Sequence, residues 1–343
     1  MNTDILNHQQ CSQLRSLIDK AESIVICCHV SPDGDAIGSI LGWAAYLRSL
    51  GKSNVRLIVP DMFPDYLQWL PGTDTIIRHD KRIEEAEAYI GDADLIFCMD
   101  FNGYGRLDNL AHAIENAHAK RVLIDHHPKP TIPCVLTVSH PEMSSTCELV
   151  ARIVCQLGGF DRLDRTFAIP VYCGMMTDTG GFTYNSSTPE IFYIISLLLT
   201  KGIDKDKIYR NVYHNFSENR LRLVGHVLKE RLVVNRHSAY FKLTRQDLAD
   251  YHFMKGDAEG IVNMPLQIKG LKLSISLRED TETDNKVLVS LRSVEPYKCN
   301  DIAAQFFNGG GHDYAAGGRL MCTMDEAVRT VEAALDCFER RFR

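Results

Sequence analysis

Carboxylates and imidazoles recur in this chain at spacings that suit metal ligation. His29 is followed four and six residues on by Asp33 and Asp35, within Val30-Ser31-Pro32-Asp33-Gly34-Asp35. A second group is Asp125-His126-His127, while Asp100 stands by itself and Asp178 lies in Thr177-Asp178-Thr179-Gly180-Gly181. A pair of divalent ions needs several anionic oxygens and a few imidazoles in one pocket. This mixed donor set suits Mn²⁺ best and admits Mg²⁺, Co²⁺ or Fe²⁺. Two ions sharing one bridging carboxylate and one hydroxide supply a nucleophile at neutral pH, and they neutralise the charge that builds on phosphoryl oxygens during in-line displacement. The expected chemistry is therefore two-metal hydrolysis of a phosphate ester. Singly, each residue has an ordinary use: an aspartate at a strand end often caps a helix, and Pro-Asp-Gly is a common turn. The chemistry depends on elements that bring them together.

Short apolar runs at 24–28, 55–59, 95–99 and 121–124 are continuous rather than alternating, as in strands buried on both faces of a parallel sheet. Three of the four stop at polar clusters: His29 with Asp33, Asp100, and Asp125. Ligands of open α/β sheets sit beyond the carboxyl ends of the strands, so these polar ends should meet at one crevice. Beyond residue 124 the pattern becomes helical, with candidates at 144–157, 165–176 and 189–201. A charged, apolar-poor stretch follows, and the expected division is a catalytic domain over 1–201, a linker over 202–219 and a second domain over 220–343. Strand-like runs return at 239–243, 271–277 and 286–291; the last two flank an acidic turn at 278–285 and read as a hairpin. The expected fold class is α/β: a parallel-sheet N-terminal domain with helices on both faces, and a smaller C-terminal α/β domain with a mixed sheet.

In the second domain Ser290-Leu291-Arg292-Ser293 places a guanidinium at a strand end, and Gly309-Gly310-Gly311 lets bare backbone N–H groups approach an anion beside His312. A phosphate clamp is the natural use, with Arg106 of the first domain as a further phosphate contact. Cys27-Cys28 precedes His29, but cysteines of a buried strand act as small apolar residues.

The 343-residue chain carries a formal net charge of −6, which argues against a broad duplex-binding surface but not against a short nucleotide ligand. Eleven cysteines without a CxxC pair, a polar start and no long apolar run point to a soluble protein of the reducing cytoplasm with no membrane partner.

These motifs together resemble the DHH phosphoesterases, specifically the DHH-DHHA1 subgroup of bacterial oligoribonucleases that also dephosphorylate 3′-phosphoadenosine 5′-phosphate (pAp). Residues 29–39 match the first motif, Asp100 with Arg106 the second, Asp125-His126-His127 the name motif and Asp178 the fourth; Gly309-Gly310-Gly311-His312 followed by Ala315-Ala316-Gly317-Gly318 matches the DHHA1 signature. The resemblance implies His29, Asp33, Asp35, Asp100, His126 and Asp178 as metal ligands, Asp35 as the bridge and His127 beside the scissile phosphate. It also implies a substrate held between the two domains, its far part gripped by Arg292, Ser293, residues 309–311 and His312. The implied partners are short single-stranded RNA oligomers and nucleotide bisphosphates, and a homodimer is compatible. Family II pyrophosphatases share the first domain, but their C-terminal Ser-Arg-Lys signature is absent. RecJ-type exonucleases carry a further nucleic-acid-binding domain, for which this chain has no room. Phosphodiesterases of cyclic dinucleotides or linear pApA are the runner-up. A non-catalytic nucleotide sensor is disfavoured because no ligand position is lost. The sequence does not rank pAp, short RNA, short DNA and pApA.

Overall fold

The computed structural model describes residues 3–254 and 256–342, and the chain divides into two compact units, Met1–Asn215 and Phe216–Arg343. In the first unit the apolar runs become strands β1 (Ile24–Cys27), β2 (Val55–Val59), β4 (Leu95–Met99) and β5 (Lys120–Asp125), joined by the short edge strands β3 (Ile76–Arg78) and β6 (Leu136–Ser139). All pair in parallel, in the order β3-β2-β1-β4-β5-β6. Successive side chains of a strand point to opposite faces, and both faces are covered. Ile24, Ile26, Leu57, Phe97 and Val122 enter one core with α1 (His8–Lys20), α2 (Gly34–Ser49), α5 (Thr146–Gln156), α6 (Arg165–Asp178) and α7 (Pro189–Leu199). Val25, Cys27, Ile58, Ile96, Cys98 and Leu123 enter the other with α3 (Ile83–Gly91) and α4 (Ala111–Asn116). Cys27 and Cys28 are fully buried, as small apolar residues would be.

The chain leaves β1 for β2 on one side, whereas β4 pairs on the other side of β1. Connections therefore diverge between β1 and β4, which opens a crevice beyond their carboxyl ends. His29 and Asp100 follow these two strands directly.

Two expectations from sequence need correction. The charged stretch read as part of a connector over 202–219 contains helix α8 (Lys205–Tyr213). It buries Ile208 and Val212 in the first unit's core, and the Tyr213 hydroxyl donates to the Met176 carbonyl at 3.2 Å. Lys205, Asp206 and Lys207 occupy its exposed side, and the Asp204 carboxylate caps it by accepting from the Lys207 N–H. The division falls after this helix, at Asn215. The region after residue 124 is also not helical at once, because β6 intervenes; only two of its four residues are buried, too short a run to signal.

The second unit holds β7 (Val233–Asn235), β8 (Ser238–Leu243), β9 (Leu273–Glu279), β10 (Lys286–Ser293), β11 (Gly310–Gly311) and β12 (Ala315–Met321), in the order β11-β12-β10-β9-β8-β7. The sheet is mixed: β8 and β9 are parallel and the other pairs antiparallel. The expected hairpin is present, with Val287 opposite Glu279 through Ser293 opposite Leu273. Along β10 every second residue is buried, and Val287, Val289 and Leu291 share a core with α11 (Asn300–Phe306) and α12 (Met324–Glu339). Among the described residues no helix is long and apolar enough to cross a membrane.

Candidate metal centre

The site begins with two helices in close contact. A Cβ added at Gly34 would lie 2.2 Å from Thr177 Oγ1, one at Gly38 2.4 Å from the Pro170 carbonyl oxygen, and one at Gly42 2.4 Å from Val171 Cγ2. Glycines four residues apart thus give α2 one bare face, against which α6 runs in the opposite direction. This sets Asp35, in the first turn of α2, near Asp178, the last residue of α6.

The remaining side chains arrive from strand ends. His29 Nδ1 lies 2.8 Å from the Val30 carbonyl, to which it donates, so Nε2 turns toward Asp100 Oδ2 at 3.4 Å and Asp33 Oδ2 at 3.7 Å. Asp33 caps α2: its Oδ1 accepts from the N–H groups of Asp35 and Ala36, both at 3.0 Å. His126 Nδ1 donates to the Met143 carbonyl at 3.3 Å, and its Nε2 faces Asp178 Oδ2 at 3.5 Å, Asp100 Oδ1 at 3.7 Å and Asp35 Oδ2 at 3.9 Å. His127 Nδ1 donates to Oδ1 of fully buried Asp125 at 2.8 Å, which leaves Nε2 as the ring nitrogen outside that bond.

Among the described residues of this unit three overlapping sets of potential ligands result, the donor atoms of each within 4.8 Å of one another: His29, Asp33 and Asp100; Asp35, Asp100 and His126; and Asp100, Asp125 and His127. Asp100 is common to all three. Its Oδ2 turns to His29 and its Oδ1 to His126. Asp35, the bridge implied by the sequence resemblance, belongs to one of these sets, and both its oxygens are engaged at the N-terminus of α5, accepting from Thr146 N–H at 2.6 Å and Cys147 N–H at 2.8 Å. The central place of Asp100 follows from β4 being the strand between β1 and β5, and from a left-handed backbone at Asp100 (φ 64°) that aspartate tolerates better than most residues.

Sequence reading missed Thr146, whose Oγ1 donates to Asp100 Oδ1 at 2.9 Å. The available signal was Ser145 followed three residues later by Glu148 before an apolar run, a helix-start pattern. Ser145 does cap α5, accepting from the Glu148 N–H.

The electrostatics favour cations at this place. Burial pushes the Asp35 carboxyl well above the usual carboxylate range, and the neighbouring Asp100 and Asp178 push it further. Asp178 is raised to about 6, first by desolvation and then by Asp33 and Asp100 working against His126. Burial alone would lower both imidazoles, yet His29 is held up at about 10 by Asp100 and Asp33, and His126 at about 9 by Asp178, Asp100 and Asp35. The carboxylates thus draw positive charge into the cluster as protons, and divalent cations at the same place would displace them. Oδ2 of Asp125 is buried with no hydrogen-bond partner among the described residues. Hard oxygens with two imidazoles in a buried anionic pocket fit a pair of divalent ions. Arg106 is exposed, but its main-chain carbonyl accepts from the Val30 N–H at 2.7 Å and its charge is felt at His29, which puts it at the rim.

The model of the DHH family, N-terminal domain, matches residues 23–175, and that of the DHHA1 domain matches residues 242–339. The chain belongs to the DHH–DHHA1 phosphoesterase family. A crystal structure of an exopolyphosphatase-related protein from Bacteroides fragilis is 47% identical, with a TM-score of 0.92 and 98% of each chain covered. The bifunctional oligoribonuclease and PAP phosphatase NrnA of Thermus thermophilus is 28% identical over 323 residues, 91% of this chain and 89% of that protein. The cyclic-di-AMP phosphodiesterase GdpP of Bacillus subtilis is 23% identical over 341 residues, 94% of this chain and 49% of that protein.

Within the DHHA1 unit, Arg292 lies near the end of β10 opposite Ala315 of β12, and Gly311 pairs with Ala316 one position along, so Arg292, Gly311 and His312 gather at one end of the sheet. Ser293 is buried, and its N–H donates to the Tyr314 carbonyl at 3.0 Å. The glycines, expected as an open anion loop, are partly strand. Gly310 and Gly311 form β11, and a Cβ at Gly309 would come within 1.8 Å of the Gly317 carbonyl oxygen. Close backbone packing against β12 therefore explains Gly309 and, at φ 138°, Gly311; a Cβ at Gly310 meets nothing within 4 Å. Of the three, Gly310 has open space beside it.

Proposed function

We propose that this chain is a Mn²⁺-dependent phosphoesterase that releases 5′-mononucleotides from RNA oligomers of a few residues and removes the 3′-phosphate of pAp. Six side chains from five strand and helix ends converge where the sheet connections diverge, and that convergence supports hydrolysis at a metal pair; the Thermus relative supports the substrate class. His29, Asp33 and Asp100 would hold one ion, and Asp35, Asp100, His126 and Asp178 the other. Bound divalent ions supply Lewis acidity, which neutralises phosphoryl charge and lowers the pKa of water.

The protein's own groups do the rest. Asp125 fixes the His127 ring through Nδ1, so Nε2 is presented to the phosphate that reacts. Arg106 adds a cation at the rim. In the DHHA1 unit, Arg292, Gly310 and His312 grip a phosphate remote from the reacting one. Both activities then share one chemistry, hydrolysis of a phosphate ester in a substrate that carries a second phosphate. The chain acts in the cytoplasm on small nucleotides.

Hydrolysis measured with Mn²⁺ on pAp, short RNA, short DNA and linear pApA tests this. Turnover of pAp and short RNA is expected, and no turnover of any of the four would reject it. The likeness to GdpP favours one second reading, a phosphodiesterase of cyclic or linear adenine dinucleotides, for which pApA would be the best of the four.

His127→Ala is expected to leave metal content unchanged while kcat falls by about 10²-fold, the scale of a positioned acid–base or charge-stabilising group. Elemental analysis that finds an ion lost would move His127 into the ligand set. Arg292→Ala is expected to raise KM about tenfold or more on pAp and dinucleotides, since binding energy from the remote phosphate is withdrawn. Bis(p-nitrophenyl) phosphate has no remote phosphate, so its slow hydrolysis should be unaffected. Equal impairment of both substrate types, with an unchanged melting curve, would make Arg292 structural.

A further inference from the structure

We propose that Thr146 is a positioning residue that assembles the carboxylates of the metal centre before any ion arrives, an inference that rests on the metal-dependent reading above. Thr146 is the first residue of α5 and is completely buried. Its hydroxyl donates to Asp100 Oδ1 at 2.9 Å, and its backbone N–H donates to Asp35 Oδ2 at 2.6 Å. One residue thus ties together the carboxylate common to the three donor sets of this unit and one that belongs to a single set. The adjacent Cys147 N–H takes the other Asp35 oxygen at 2.8 Å.

The need for such a tie follows from charge. Asp33, Asp35, Asp100 and Asp178 crowd one pocket, and like charges at this range repel strongly in a low dielectric. The final torsion of an aspartate is soft, so Asp100 could rotate its carboxylate away from its neighbours at little cost. Its imidazole neighbours stand 3.4–3.7 Å away, farther than the Thr146 hydroxyl at 2.9 Å. The Thr146 hydroxyl is a short donor that can fix its plane. It spends one lone pair of Oδ1 and leaves the carboxylate's other lone pairs for ligation. Outer groups of this kind, which orient ligands without touching the metal, typically carry about 10- to 100-fold in metal affinity.

Thr146→Val keeps the shape of the side chain and the backbone N–H that holds Asp35, and deletes only the hydroxyl. Thr146→Ser restores it. The test is calorimetric titration of Mn²⁺ into metal-free wild type, Thr146→Val and Thr146→Ser, with melting curves of the metal-free proteins alongside. The expected result is Mn²⁺ binding weakened about 10- to 100-fold in Thr146→Val, and within threefold of wild type in Thr146→Ser. Thr146→Val binding as wild type does would overturn the proposal, and so would Thr146→Ser binding as weakly as Thr146→Val, because the methyl packing rather than the hydroxyl would then matter. A wild type that takes up no Mn²⁺ at all would instead strike down the metal-dependent function, and this inference with it.

Discussion

Replacement of Asp100 by Asn should abolish Mn²⁺-dependent hydrolysis and lower the content of both ions, whereas Asp35→Asn should lose chiefly one. The difference follows from geometry: Asp100 turns one oxygen to His29 and the other to His126, while Asp35 belongs to the second set alone. Asparagine is the informative replacement because position 100 has a left-handed backbone, which Asn adopts readily and Ala does not. The loss of turnover should be on the order of a thousandfold or more, since several kcal/mol of transition-state charge stabilisation leave with the ions. The fold should persist, because removing one of several crowded carboxylates relieves repulsion. Elemental analysis and rates on pAp check both halves. Two ions retained in Asp100→Asn with near-wild-type turnover would remove Asp100 from the centre.

Gly38→Ala should damage stability and turnover together, although the substitution is distant from any ligand in chemical terms. The added Cβ would lie 2.4 Å from the Pro170 carbonyl oxygen and 2.8 Å from Cys147 Sγ. Alanine gains up to about 1 kcal/mol in helix propensity, but the obstacle on α6 is backbone and cannot rotate away. Overpacking of this kind costs about 1–3 kcal/mol, which should appear as a melting point lower by several degrees. The larger consequence is positional. Asp35 stands three residues before Gly38 on α2, and Asp178 ends α6, so forcing the helices apart separates two of the ligands proposed for one ion. A shift near 1 Å can cost about 10²-fold in rate. Gly91→Ala is the control: it lies at the end of α3 with nothing within 4 Å, and it should leave both properties unchanged. Equal behaviour of the two variants would show that close approach at Gly38 is not needed.

The ligand types and their places at strand ends were legible in the sequence because a parallel sheet leaves a clear record: buried strands are continuously apolar, and the polar residue that ends each run is conspicuous. His29, Asp100 and Asp125-His126-His127 could be read in this way, and so could the hairpin of β9 and β10 with its alternating burial. Roles within the site were not legible. The central place of Asp100 among the donor groups depends on strand order, which places β4 between β1 and β5, and on one left-handed residue; neither leaves a local pattern. Thr146 reads as an ordinary residue at a helix start, and its two bonds to Asp35 and Asp100 span 111 and 46 positions of chain. The charged stretch before Asn215 reads as a connector because charge marks exposure equally well on a loop and on the outer face of an amphipathic helix such as α8. The glycines at 309 and 311 show the same ambiguity: absence of a side chain is plain in the sequence, but only the tertiary structure reveals that the space is filled by the backbone of β12. Residue type and local periodicity are carried by the chain itself, whereas which atoms share a neighbour is decided by contacts between distant segments, and those exist only once the sheet has closed and the helices have packed.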